Sequence, residues 1–342
     1  MGKIRFKDYL TDYLEINNIT NKDFANRIGI SEKHLIDILS GNADISTNLI
    51  ERISIVTSIP SDYIFRIESN YKFEKDINDY FKENNINKID FLNKFKYKYL
   101  IKEKYIDITD NGDKFEVIKD ILKFLRVPKP EKIYEIDMNA YYKSKNDKPE
   151  LLLLWLEKCY RQTLKQEIND YSKDNINNLV NYINECAKDC IFNEKDLIKK
   201  FNENGIYLVI QEDIPGSKIR GAFRVHRGKP AIYLTYKHKR IADIYFSLLH
   251  ELAHCKTDFN KAQAQSLISY EDKVDDIEYK ADKQAYNWMI DKNYYNKECL
   301  SPFYDIYNDN NYPKCFIVYR LAKDGRIKYD SKEYQKYNSL LK

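Results

Sequence analysis

Glycine and proline are scarce in this chain, nine and eight among 342 residues. So few turn-formers exclude collagen-like, linker-dominated and many-turned all-β architectures. The six cysteines, at 159, 186, 190, 255, 299 and 315, contain no CxxC pair. That count carries neither a zinc-ribbon pattern nor the density of a disulfide scaffold, and it reads as a reduced protein. Long apolar runs are missing too. The longest, Leu151-Leu-Leu-Leu-Trp-Leu156, is far too short to span a bilayer. Met1-Gly-Lys-Ile-Arg-Phe-Lys7 lacks the apolar stretch of a signal peptide. Nor does one sign of charge dominate: 57 Lys and Arg against 53 Asp and Glu leave +4, far from the basic excess that by itself announces nucleic acid. The expectation is a cytoplasmic chain with no membrane partner.

What is present is apolar material enough for a core, 43% of the residues, over a length that implies two or three domains. Residues 1–72 read as short helices. Thr20 to Asp23 caps a helix carrying Phe24, Ala25 and Ile28, and Gly29 stops it by tolerating the left-handed conformation. Ser31 and Glu32 then cap a second helix with Leu35, Ile38 and Leu39 inside, and Gly41 to Asp44 ends that one. Ser46 to Ile55 restarts a helix on Leu49, Ile50 and Ile53. Two short helices around a glycine turn, with a small alanine where they approach, make a helix-turn-helix. The order of elements, with Phe24-Ala-x-x-Ile-Gly-Ile-Ser31 and Leu39-Ser-Gly-Asn42, resembles the XRE/HigA-type repressor domain. That implies operator DNA as a partner, with Ser31, Lys33 and His34 reaching base edges and Asn21 and Lys22 on the backbone. Residues 1–72 hold nine basic and ten acidic side chains. Phosphate binding draws on local cations, so a single copy should bind weakly and a homodimer on a two-fold operator is expected.

Residues 73–200 read as a helical connector or sensor. Val127-Pro-Lys-Pro130 marks a break within it and Leu151 to Tyr160 a buried helix around Trp155. Cys186 and Cys190, at i and i+4, read as packing rather than metal ligands. The Lys/Tyr-rich composition here also admits a single-stranded nucleic acid as a signal. From Ile206 the texture changes to strands: Ile206–Ile210, Ile219–Val225 and, after the turn Gly228-Lys-Pro230, Ala231–Thr235. The last of these is expected at an exposed sheet edge, where an extended substrate adds by β-pairing.

A long helical segment from about Lys239 to Lys256 carries His250-Glu-Leu-Ala-His254, an HExxH pattern. Histidines at i and i+4 leave one helix face together, so both can bind one Zn²⁺. Glu251, one residue on, is angled toward the attacking water rather than the metal. Asp243, Ser247, His250 and His254 form one polar stripe on an otherwise apolar helix, which places that stripe in an internal cleft. A catalytic zinc needs a third protein ligand. Cys255 points about 100° away from His254 and is rejected; His226 and His238 remain open. Glu278 and Asp282 share the face of a downstream helix beside the stripe Ile277, Ala281, Ala285 and Trp288. Its alanines allow close packing, so that one carboxylate ligates and the other orients a ligand imidazole.

His250, Glu251, His254, Glu278, Ala281, Asp282 and Ala285, within residues 206–290, resemble the ImmA/IrrE family of zinc metallopeptidases. Gln284 stands where that family has Phe, and Trp288-Met-Ile290 ends the second helix without the family's proline. Residues 314–330 resemble the tail of repressor–peptidase fusions. The resemblance implies a gluzincin-like site with Zn²⁺ on His250, His254 and Glu278, Glu251 as the base and Asp282 orienting a histidine. It implies a regulatory endopeptidase that cuts a repressor or antitoxin-type partner in a stress or mobile-element response. The rival is a HigA-like regulator or antitoxin whose zinc is structural or ligand-sensing. The expected fold is mainly α with a small α+β domain: a helix-turn-helix bundle over 1–72, a helical connector over 73–200, a peptidase domain over 201–300 with a small antiparallel or mixed sheet, and a tail over 301–342 packing on it.

Overall fold

The computed structural model describes residues 5–135, 148–236, 240–264, 267–270, 276–302 and 304–340. His238 lies outside them. The chain is mainly helical with one mixed four-stranded sheet. It divides into two compact units: the described part of Met1–Phe91 with Asp110–Lys119, and Leu92–Thr109 with Asp120–Lys342.

The N-terminal unit opens with α1 (Phe6–Ile16), α2 (Asn21–Ile28), α3 (Glu32–Ser40), α4 (Thr47–Thr57) and α5 (Ser61–Glu83). Side-chain oxygens of Thr20, Ser31 and Ser46 accept from the backbone N–H three residues on and so start α2, α3 and α4. Gly29 ends α2 at φ +70°, as its position in the sequence requires. Phe6, Phe24, Ile28, Leu35, Ile53 and Ile64 close one core. Helix α5 runs unbroken through residue 72. Its buried Glu68 accepts from the Phe6 N–H at 3.2 Å, fastening the start of α1.

Short helices α6 (Lys88–Lys94), α7 (Tyr97–Lys102) and α8 (Lys114–Leu125) follow, then α9 (Pro149–Thr163), α10 (Asn175–Lys188) and α11 (Glu194–Glu203). Strand β1 (Tyr207–Ile210) comes next, with β2 (Ile219–His226) and β3 (Lys229–Leu234) as a hairpin. The chain continues through α12 (Ile241–Thr257), α13 (Phe259–Ala264), β4 (Leu267–Tyr270), α14 (Asp276–Met289) and the single turn α15 (Lys292–Tyr294). It ends with α16 (Lys314–Lys323) and α17 (Lys332–Tyr337).

The strand order is β1-β3-β2-β4, β1 being parallel to β3 and the other pairs antiparallel. Strand β3 is therefore interior. The expectation that Ala231–Thr235 is an edge is wrong, because β1 pairs across β3 in a register that sequence alternation does not encode. The free edges belong to β1 and β4. Alternation along the strands sends Val209, Ala222, Ala231 and Tyr233 to one face, where Leu152, Trp155 and Cys159 of α9 cover them. Leu208, Ile210, Phe223, Ile232 and Leu234 face the other way, into the core built around α12. That core also takes Leu179 and Ile183 of α10 and Phe316 and Ile317 of α16.

Gly205, at φ +78°, turns α11 into β1, and a Cβ there would lie 2.5 Å from Tyr171 Cα and 2.6 Å from the Asp170 carbonyl. Both strain and backbone collision oppose any larger residue. Gly205→Ala should therefore cost at least about 2 kcal/mol of folding free energy, read as a lowered denaturant midpoint with an unchanged slope. A wild-type midpoint in the variant would show that the 170–171 segment yields.

Candidate metal centre

Helix α12 is buried on every side over Leu248–Cys255, with His250, Glu251 and His254 at 1%, 1% and 0% exposure. Its first turn has no side-chain cap of its own. The end of the chain supplies one: Ser339 O accepts from the Ile241 N–H at 3.1 Å, and Asn338 Oδ1 from the Ala242 N–H at 2.9 Å. Arg240 holds the same segment through Asn338 O and Gln335 Oε1. Asp243, at the top of the expected polar stripe, accepts from the Asn338 amide at 3.1 Å, and Ser247 bonds back to the Asp243 carbonyl at 3.0 Å. Only the lower half of that stripe faces the site.

Helix α14 approaches α12 through Ala281 and Ala285, both buried. This brings Glu278 between the two imidazoles. Its Oε2 is 3.2 Å from His250 Nε2 and its Oε1 is 3.1 Å from His254 Nε2. The two Nε2 atoms are 3.1 Å apart. Asp282 Oδ1 lies 2.7 Å from His250 Nδ1, and Asp258 Oδ2 lies 3.2 Å from His254 Nδ1. With each Nδ1 held by a carboxylate, both Nε2 atoms turn toward Glu278, a donor set that a cation would bind in place of the Nε2 protons. Donors about 2.0–2.1 Å from a tetrahedral centre stand about 3.3 Å apart, close to the 3.1–3.2 Å observed. His250, His254 and Glu278 thus form a possible metal-binding triad.

The field at the site is negative. Burial opposes charge on His254, but the hydrogen bonds it donates to Asp258 and Glu278 outweigh it and lift the imidazole to about 10. His250 is likewise raised against its burial, by Asp282 and Glu278. Burial works against ionised Glu278 as well, yet the two imidazoles hold its carboxyl well below the usual range. Glu251 behaves differently: burial pushes its carboxyl up, and His250 and His254 offset this only in part. Its Oε2 has no hydrogen-bond partner among the described residues. Gly221 of β2 makes its position possible, since a Cβ there would collide with Glu251 Oε1 and stand 3.0 Å from the Tyr233 carbonyl.

The structure brings together the five site residues read from this part of the sequence. His226 is engaged elsewhere, 2.6 Å from the Tyr233 hydroxyl. Burial and Arg224 lower its imidazole to about 4. Cys255 is buried, its thiol 3.4 Å from the Tyr171 hydroxyl. Two site residues were not anticipated. Asp258 carries a signal, its i+4 spacing from His254. Ser269, 3.1 Å from His250 Nε2, carries none, because β4 is four residues long. In the N-terminal unit Asn21, Lys22, Ser31, Lys33 and His34 are all exposed at the starts of α2 and α3. Ser31 already accepts from the His34 N–H at 3.1 Å, and Arg27 is paired with Asp23 at 2.7 Å, which reduces the cationic charge of that surface.

Compared with protein-family models, with curated proteins and with solved structures, the chain matches none.

Two ligands from one helix turn anchor any ion held here. Replacing His250 or His254 by Ala should abolish stoichiometric zinc, measured by metal analysis of the purified full chain. Full occupancy in both variants would place the metal elsewhere.

Proposed function

We propose that the chain is a cytoplasmic regulatory zinc endopeptidase with a DNA-binding head, acting on a repressor or antitoxin-type protein. One observation carries this reading: beside the triad stands a buried glutamate, Glu251, whose Oε2 has no hydrogen-bond partner among the described residues. A purely structural metal site has no use for such a group. The two imidazoles and one carboxylate suit Zn²⁺, a metal that favours nitrogen and oxygen donors in tetrahedral sets. His250 Nε2, His254 Nε2 and the Glu278 carboxylate would hold it, oriented through Asp282 and Asp258. When bound, zinc supplies Lewis-acid polarisation of a carbonyl and acidification of water. Glu251 takes the proton from the attacking water at its free Oε2 and returns it to the leaving amine. Gly221 leaves the space in which that carboxylate works.

The head is supported by its local geometry. Two capped helices meet at Gly29, and the start of the second is exposed. This matches the resemblance to repressor domains, whose second helix enters the major groove. The near-neutral charge argues for binding as a dimer.

A rival reading makes the metal structural in a HigA-like regulator, and the enclosure of His250, Glu251 and His254 favours it.

Two experiments decide. Glu251→Gln should keep zinc and fold yet lose about 10²–10⁴-fold in cleavage of the co-encoded repressor. An unchanged cellular response in that variant would transfer the function to the rival. For the head, affinity for the protein's own promoter should fall steeply with salt. No binding even at low salt would make residues 1–72 a protein-binding domain.

A further inference from the structure

Ser269 stands on the inner face of β4 at 1% exposure. Its Oγ is 3.1 Å from His250 Nε2, the spacing that also separates the three triad atoms from one another. The same hydroxyl favours the ionised form of Glu251, the next residue along α12. One oxygen thus stands against a metal-facing nitrogen and acts on the proposed base beside it. In a zinc peptidase that place belongs to the attacking water, which must contact both the metal and the glutamate.

This point is buried, with the Glu278 side chain beside it 13% exposed. His250, Glu251, His254 and Ser269 are each at most 1% exposed. Strand β4, which carries Ser269, is one of the two edges of the sheet. It has four residues and, among the described residues, pairs with β2 alone. Its register with β2 is interrupted between Ile219 and Gly221. Leu267 packs toward the α12 core and Ile268 toward α9. A hydroxyl is a weak zinc donor beside imidazole or carboxylate, which makes such a closure reversible.

We propose that Ser269 is a built-in plug: its hydroxyl fills the position that the attacking water needs, so the described arrangement is the latent form, and displacement of β4 opens it. The inference rests on the metallopeptidase reading of the triad, and its test separates the two.

The full-length protein is compared as wild type, Ser269→Cys and Ser269→Ala, each loaded with zinc or with cobalt(II) as a spectroscopic substitute. Both replacements are close in size to serine. Ser269→Cys should bind zinc about tenfold tighter or more, because a thiolate is a stronger zinc ligand than a hydroxyl. Its cobalt form should show a thiolate-to-metal charge-transfer band absent from wild type. With the plug removed, Ser269→Ala should bind acetohydroxamate, a small metal-directed probe, about tenfold tighter, since the open fraction no longer limits apparent affinity.

No charge-transfer band in a zinc-binding Ser269→Cys protein overturns the plug and leaves the triad standing. Equal acetohydroxamate affinity in wild type and Ser269→Ala overturns latency, because the site would then already be open. Absence of stoichiometric zinc from wild type defeats the parent reading and the plug with it.

Discussion

Two imidazoles and a carboxylate excluded from water must balance their charges among themselves, and the larger unit is organised around that requirement. An isolated charge so buried costs several kcal/mol. Here Glu278, Asp258, Asp282 and Glu251 converge on His250 and His254, an acidic surplus that favours a cation at the point where the Nε2 atoms meet. Asp258 and Asp282 also fix each ring by its Nδ1, so the donors are aimed before any ion arrives. Preorganisation of this kind requires the helix that carries the rings to be immobile.

Immobility comes from three directions. The sheet lies under α12, with Phe223, Ile232 and Leu234 against Leu248 and Leu252 in one core. Helices α10 and α16 add Ile183, Phe316 and Ile317 to it. The last turn of the chain caps the N-terminal end of α12, joining Asn338 both to the Ala242 N–H and to Asp243. A residue 96 positions beyond Ala242 thereby fixes the start of the histidines' helix. Small residues then admit the chemistry: Ala281 and Ala285 bring α14 close, and the bare Cα of Gly221 leaves room for Glu251.

Much of this was legible because it is local. HExxH on an apolar helix states its own geometry, and the i, i+4 spacing of Glu278 and Asp282 placed both carboxylates on one face. Caps at Thr20, Ser31 and Ser46 marked three helix starts from residue type alone. What escaped depends on distant pairing. The parallel register of β1 on β3 puts β3 inside the sheet, and nothing in Ala231–Leu234 distinguishes a central strand from an edge one when both faces are covered. Strand β4 is too short to show a period, so Ser269 had no context. The continuity of α5 past residue 72 was hidden by a loss of distinctive composition rather than by any break in helical pattern. Asp258 was the avoidable omission, since the spacing that revealed the histidine pair also reaches it.

The enclosure of the site weighs differently on the two uses of a metal. A structural zinc is complete when four strong protein donors surround it. Here three strong donors are present, and a serine hydroxyl on an edge strand stands 3.1 Å from one of them. Beside it, Glu251 keeps a buried oxygen with no partner among the described residues, a cost that would add nothing to a structural centre. The collision that any Cβ at Gly221 would make with the same carboxylate shows that the backbone of β2 is adapted to that glutamate. A fold that accepts an unsatisfied carboxylate and reserves space for it is better accounted for by a reaction the carboxylate serves than by stability. Burial is then the property to be relieved, and an edge strand held by one ladder is the element that can relieve it without disturbing α12 or its ligands.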